Sequence, residues 1–144
     1  MKITGAMTAI ATPMSEDGAV DYSYLNKLID YQIDNSISAI VAVGTTGESA
    51  TIDFDEHVSL IEYFVKYIDG RVKVIAGTGA NSTIEALELT KSAKDAGADA
   101  ALLVSPYYNK PTQEGLFLHH TKIADEVNLP QILYNVPSRT ACFI

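Results

Sequence analysis

Apolar residues are distributed along this chain in two alternating patterns. Short continuous runs, MTAIAT (7–12), AIVAVG (39–44), KVIAGTG (73–79), AALLVSP (100–106) and QILYNVP (131–137), predict strands buried on both faces. Between them lie longer amphipathic segments that predict helices over 21–35, 53–69, 82–97 and 112–127. In the first of these, Tyr24, Leu25, Leu28, Ile29 and Ile33 fall at helical spacing. The second opens with acidic residues, as a helix N-terminus prefers. In the third, Ser82 and Glu85 match a capping box and Gly97 suits the C-terminal stop.

The order is therefore a strict alternation of five strands and four helices, with strand starts about 27 to 34 residues apart. Strands apolar on both faces imply a parallel sheet covered by helices. Two architectures satisfy this. An open doubly wound sheet is complete with five strands, whereas a (β/α)8 barrel needs eight and typically about 250 residues. The 144 residues by themselves favour one domain and the open sheet.

Composition narrows the partners. A hydrophobic fraction of 47% with 19% charged residues is globular. No apolar run approaches the ~20 residues of a membrane span, and the MKITGAMTAIATP start does not read as a signal peptide. The net charge of −8 lacks the basic footprint that nucleic acid requires. One cysteine, Cys142, precludes an internal disulfide and fits a reducing cytoplasm.

In either architecture chemistry gathers at the C-terminal ends of the strands. There the chain places Thr12 and Pro13, Gly44 to Gly47, Gly77 to Gly79, Ser105 to Tyr108, and Tyr134, Asn135, Pro137 and Arg139. This is a set of hydroxyls, phenols and glycines with one guanidinium, the makings of a small polar pocket. In GTTGES (44–49) the two glycines predict a turn that a Cβ would resist. Its amides and the Thr45 and Thr46 hydroxyls suit a carboxylate or an enolate-like oxygen, or else simply close a tight loop. PYYNKP (106–111) sets two tyrosines on different sides of one loop, for a pocket and a partner or for ordinary packing. Tyr134 could move protons if its pKa is lowered. Arg139, one of two arginines, suits bidentate grip of a carboxylate, with a surface salt bridge as the alternative. GTGANS (77–82) has Ser82 in place of the third glycine of a dinucleotide fingerprint, a weak match. His57, His119 and His120 do not form a metal set, since adjacent helical residues point about 100° apart.

Taken together, AIATPMSEDGAVD, SAIVAVGTTGESATI, VIAGTGANST, PYYNKPTQEGL and PQILYNVPSRTA resemble the dihydrodipicolinate synthase family across the whole chain. YNVPSRT resembles the synthase branch more than the neuraminate lyase branch. The resemblance implies a (β/α)8 TIM barrel, of which residues 1–144 supply about the first five strands and four helices, and so it overrides the length argument. It implies a pyruvate-dependent, class I aldolase-type lyase condensing pyruvate with aspartate semialdehyde on the way to diaminopimelate and lysine. The only covalent device implied is an imine between pyruvate and a lysine, with no separate cofactor and no metal.

By motif, the resemblance makes Thr45 a proton-relay hydroxyl and Thr46 a ligand of the pyruvate carboxylate. It makes Tyr134 the acid/base at the imine, Tyr108 a relay member crossing from a neighbouring subunit of a homotetramer, and Arg139 the group orienting the aldehyde's carboxylate. A regulatory lysine site is implied at Ser49, Ala50, His57, Asn81, Glu85 and Tyr107, where Phe54 replaces a histidine of some members. The imine-forming lysine belongs to a sixth strand beyond Arg139. Lys2, Lys27, Lys66, Lys73, Lys91, Lys94, Lys110 and Lys122 do not end an apolar strand at the pocket face, Lys73 beginning one instead. The remaining half is thus expected from elsewhere, with the chain alone inactive. Another pyruvate aldolase of the superfamily and a non-catalytic carboxylate-binding domain are the alternatives.

Overall fold

The computed structural model describes residues 3–144, so of the lysines only Lys2 lies outside the described residues. The strands are β1 (Met7–Ala9), β2 (Ala39–Ala42), β3 (Lys73–Gly77), β4 (Ala100–Val104) and β5 (Gln131–Tyr134). They pair in parallel in the order β1-β2-β3-β4-β5. That order decides between the two architectures. A doubly wound sheet reverses direction at a switch point, whereas here every strand adds on the same side of its predecessor, the growth pattern of a barrel. The chain is the N-terminal part of a TIM barrel, a half-barrel ending on β1 and β5.

Four long helices return the chain between strands: α1 (Tyr22–Asp34), α2 (Phe54–Ile68), α3 (Thr83–Ala96) and α4 (Gln113–Glu126). Each starts on a side-chain cap, from Asp21, Asp53, Ser82 and Thr112, whose oxygen accepts an amide of the first turn that would otherwise lack a partner. The Ser82 cap accepts from the Glu85 amide at 3.4 Å, and Gly97 ends α3 in the left-handed region at φ 95°. Along α1, Leu25 and Ile29 are buried and Leu28 and Ile33 pack beside them, but Tyr24 turns to solvent. None of the helices described is long and apolar enough to cross a membrane.

The period-2 geometry of a strand splits each run between two faces. Ile40, Ala42, Val74 and Ala76 point outward into a core shared with Leu25, Ile29, Leu60, Ile61, Phe64 and Ile68 of α1 and α2. Ala101 and Leu103 meet Ala86 and Ile123 of α3 and α4. Ala39, Val41, Ile75 and Ala100 face the other way, with Leu102 and Ile132 half-buried beside them. This second face is the barrel interior, and it is open toward β1, where Met7 is 43% exposed.

The strands stop earlier than their apolar runs do. β2 ends at Ala42 because Val43 takes φ 51°, a left-handed value that is an outlier for a β-branched residue. β5 ends at Tyr134, and a short helix, α5 (Pro137–Thr140), follows where the apolar run predicted more strand. Pro137 at its first turn is the signal that could have found it, since its fixed φ and missing N–H suit that position.

Candidate functional site

The strand ends carry an unusual concentration of strained backbone. Of the seven described non-glycine residues with positive φ, five lie in the loops there: Val43, Glu48, Tyr108, Lys110 and Ala141. Such conformations cost about 1–3 kcal/mol each and persist where the surrounding structure over-determines them, often at functional sites.

The turn after β2 shows how the determination works. Thr45–Gly47 form one 3₁₀ turn, in which the Gly47 amide donates to the Gly44 carbonyl at 2.9 Å and the Glu48 amide to that of Thr45 at 3.2 Å. The amides of Thr45 and Thr46, opening the turn, have no acceptor within it. As the sequence predicts, a Cβ would be resisted here, although neither Gly44 nor Gly47 takes a positive φ, which falls to the flanking Val43 and Glu48. The glycines are needed for close approach instead. A Cβ on Gly47 would stand 3.1 Å from both the Ile10 carbonyl and Thr12 Oγ1, and one on Gly44 3.3 Å from Val41 Cγ1. Thr12 Oγ1 donates to the Gly47 carbonyl at 2.8 Å in a buried bond, tying the turn to the end of β1.

Neighbouring strand ends are locked similarly. The carbonyl of Gly77 can only accept, so the buried His57 ring, 2.7 Å away, donates from Nε2. Burial holds the His57 pKa below its ordinary value, with the bond to Gly77 opposing. Gly79 passes so near β4 that a Cβ would fall 2.2 Å from the Val104 amide nitrogen. Buried Ser105 donates its amide to the Tyr134 carbonyl at 3.2 Å. Thr140 Oγ1 donates to the Val136 carbonyl at 3.2 Å and so helps to close α5.

Two adjoining hollows result. A narrow cleft among the strand ends is lined by Gly44, Thr45, Ser49, Gly79, Val104 and Tyr134, with room of about 10 Å³, the scale of one water. Thr45 and Tyr134 therefore share one cleft. Beside it lies a cavity of about 340 Å³, lined by Thr45, Glu48, Ser49, Ala50, Thr51, Val104, Tyr107, Val136, Arg139 and Thr140. That volume suits a small-molecule ligand. Thr45, Ser49 and Val104 line both.

The other predicted site residues fall into three groups. Arg139 lines the larger cavity and has no carboxylate partner among the described residues; the surface ion pair belongs instead to Arg71, 2.8 Å from Asp30. Thr46 is exposed and Tyr108, at φ 73°, is 90% exposed, and neither lines these hollows. Of the six residues at the implied lysine site, Ser49, Ala50 and Tyr107 line the cavity. Burial raises the Tyr107 phenol above its ordinary pKa, and the negative charge of Glu85 adds to this, keeping it protonated. The Asn81 carbonyl accepts from Asn109 Nδ2 at 3.2 Å, and His57 lies outside the cavity, committed to Gly77.

Sequence reasoning gave no role to Glu48, Val136 or Thr140. All three sat inside motifs already singled out, GTTGES and YNVPSRT, but Val136 and Thr140 reach the cavity through the short helix after β5 that the apolar run concealed. Among the described residues no lysine lines either hollow, and Lys73 stands at the opposite end of β3, 2.6 Å from Asp99.

Comparison with known proteins places this arrangement. A 4-hydroxy-tetrahydrodipicolinate synthase of Pseudomonas putida (strain W619) is 62% identical over 140 residues, 97% of this chain and 48% of the relative. A chloride-inhibited dihydrodipicolinate synthase of Acinetobacter baumannii, solved in complex with pyruvate, superposes with a TM-score of 0.96 at 56% identity, over 99% of this chain and 49% of its own. An enzyme of the same name from Cyanidioschyzon merolae, solved with lysine bound, gives 0.93 at 41% identity, over 98% and 48%. The chain spans about half the length of these relatives. The family model for the dihydrodipicolinate synthetase family matches residues 2–144, and the same five-stranded parallel half-barrel recurs in the solved relatives, so this chain belongs to that family.

Proposed function

We propose that residues 1–144 are the N-terminal portion of a single catalytic barrel domain, a lyase that condenses pyruvate with L-aspartate 4-semialdehyde in the biosynthesis of diaminopimelate and lysine. The observation that carries this reading is the convergence of Thr45, Tyr134 and Arg139 on two hollows that share a wall, in a chain 56% identical to a relative solved with pyruvate. Tyr134 is the acid/base beside the imine and Thr45 passes protons onward, since a phenol and a hydroxyl sharing one cleft suit a relay. Thr46 and the unbonded amides that open its turn bind the pyruvate carboxylate. Arg139, a cation without a carboxylate partner among the described residues, orients the carboxylate of the aldehyde.

The nucleophile is an amine from outside these residues. A ketone is activated as an imine only by a placed amine, and no lysine among the described residues lines either hollow. No further cofactor is required. Tyr108, almost wholly exposed on a strained loop, joins the relay of a neighbouring subunit in a cytoplasmic homo-oligomer. Ser49, Ala50, His57, Asn81, Glu85 and Tyr107 form a site for inhibitory lysine. This reading is supported by the shared lining of Ser49, Ala50 and Tyr107 and by the lysine-bound relative.

Borohydride reduction in the presence of pyruvate, read by mass spectrometry, tests the assignment. The polypeptide carried to its relatives' length should acquire the mass of reduced pyruvate, and residues 1–144 alone should not. An adduct on the 144-residue chain would mean that a local lysine suffices, and no adduct on either would remove the imine mechanism.

A further inference from the structure

Buried hydroxyls follow three of the strands, and they reach different things. Beyond β3, Thr78 Oγ1 lies 2.9 Å from Thr90 Oγ1 and joins the strand to α3. Beyond β4, Ser105 Oγ stands 3.5 Å from the Tyr134 carbonyl, which the Ser105 amide already holds at 3.2 Å. Beyond β1, Thr12 is 4% exposed and lines neither hollow, yet its hydroxyl crosses to the Gly47 carbonyl at 2.8 Å. Of the three, this bond alone grips the loop that carries Thr45 and Thr46.

That loop is poorly fixed by its own bonds. It is a single 3₁₀ turn closed by two of them, at 2.9 and 3.2 Å, between the left-handed Val43 and Glu48. Thr45 and Thr46 are exposed among the described residues, so the packing of their own side chains does not orient them. A strained turn persists when contacts from outside over-determine it. Those contacts are made at Gly47. Its carbonyl receives no backbone amide among the described residues, so the Thr12 proton is its partner. Its lack of a Cβ lets the turn settle against the Ile10 carbonyl and Thr12 Oγ1.

We propose that Thr12 is a positioning residue for the reaction. Through Gly47 it sets where the Thr45–Gly47 turn stands above β1. It thereby keeps Thr45 in the cleft with Tyr134 and presents Thr46 and the opening amides to the ketoacid carboxylate. Thr12 itself touches no substrate. The inference rests on the reading above in which this turn binds pyruvate and relays protons. The leverage is large, because a misplacement of about 1 Å at a reacting group can cost roughly 100-fold in rate.

The test uses the polypeptide of the relatives' length, with active sites counted by borohydride-trapped pyruvate. Thr12→Val keeps the branched shape and deletes the proton, leaving the Gly47 carbonyl unpaired. It should raise KM for pyruvate and lower kcat, together a roughly 10- to 100-fold fall in kcat/KM for pyruvate. KM for the aldehyde, set by Arg139 on another loop, should not change, and Thr12→Ser should restore wild-type values. A purely structural role would lower the count of active sites and leave both KM values alone. That result, or Thr12→Ser as impaired as Thr12→Val, overturns the proposal. Gly47→Ala pushes the turn off Thr12 with the hydroxyl intact, and it decides the matter if Thr12→Val does not fold. It should show the same split more weakly, and the double variant should lose less than the product of the single losses, since both break one contact. Unchanged pyruvate kinetics in Gly47→Ala, or fully multiplicative losses, overturns the proposal as well. Thr45→Val separates the two readings. If it leaves kcat unchanged, the relay falls and this inference with it. If it lowers kcat while Thr12→Val stays at wild-type values, this inference alone falls.

Discussion

The two ends of the sheet handle charge and strain in opposite ways. At the end where strands begin, charges are matched. Lys73 and the Val74 amide both donate to the Asp99 carboxylate, at 2.6 and 2.9 Å, and Arg71 meets Asp30 at 2.8 Å while lying 5.2 Å above the Tyr67 ring. At the end where strands finish, Arg139 faces a cavity without a carboxylate partner, and most of the left-handed residues collect. The first end closes a fold. The second leaves the Arg139 guanidinium without an ion pair among the described residues, and the packing beneath it sustains the strain.

The largest effect expected from breaking this contrast is at Gly79, under the strained end. Gly79→Ala forces a Cβ into the Val104 backbone, which cannot retreat as a flexible side chain would. Urea denaturation should show a loss of about 3 kcal/mol, along with any activity of the assembled enzyme. A loss below 1 kcal/mol would mean that the strand ends are more loosely joined than described.

Arg139→Ala should separate function from stability. In the polypeptide of full family length, kcat/KM for the aldehyde should drop roughly 10- to 100-fold, in line with about 1.5–3 kcal/mol for a charged hydrogen bond. The unfolding midpoint should stay put, because no internal partner is lost. An unchanged kcat/KM would return Arg139 to an ordinary surface residue.

Acid provides a graded probe of α4. Burial holds the His119 pKa down to about 4, with the adjacent His120 adding to the effect. Between its ordinary value near 6.5 and about 4, the unfolded chain takes up a proton that the folded chain refuses. Stability from this site is therefore complete above pH ~6.5 and declines as pH falls toward 4. Urea midpoints recorded across that range should fall, and His119→Gln should flatten the slope. The smallest effect belongs to the matched end. Arg71→Ala removes a half-exposed ion pair and should cost no more than about 1 kcal/mol, with less at high salt. A larger, salt-insensitive loss would erase the distinction between the ends.

Much of this molecule is written locally. Helix starts followed their caps to the residue, because a short polar side chain beside an apolar stripe satisfies orphan amides by itself. The strand runs were legible because β-branched and alanine-rich stretches bounded by glycine suit a sheet covered on both faces. The candidate residues were legible as a list of types at strand ends, and the motifs tied the chain to the family to which it belongs. Val43, whose β-branched side chain suits a strand, instead takes a left-handed conformation where β2 passes into the turn. The helix at Pro137–Thr140 was masked by a continuous apolar run.

Sequence alone therefore determined the alternation of elements, their caps and the polar rim, since each depends on interactions a few residues apart. Tertiary structure alone decided that the strands add in one direction, that Thr45 shares a cleft with Tyr134 and a cavity with Arg139, and that the His120 ring nitrogens and Gln131 Nε2 are buried without partners among the described residues. Those facts concern residues brought together from distant parts of the chain. Their contact depends on how the helices pack and how the sheet curls, and local propensity carries no record of either.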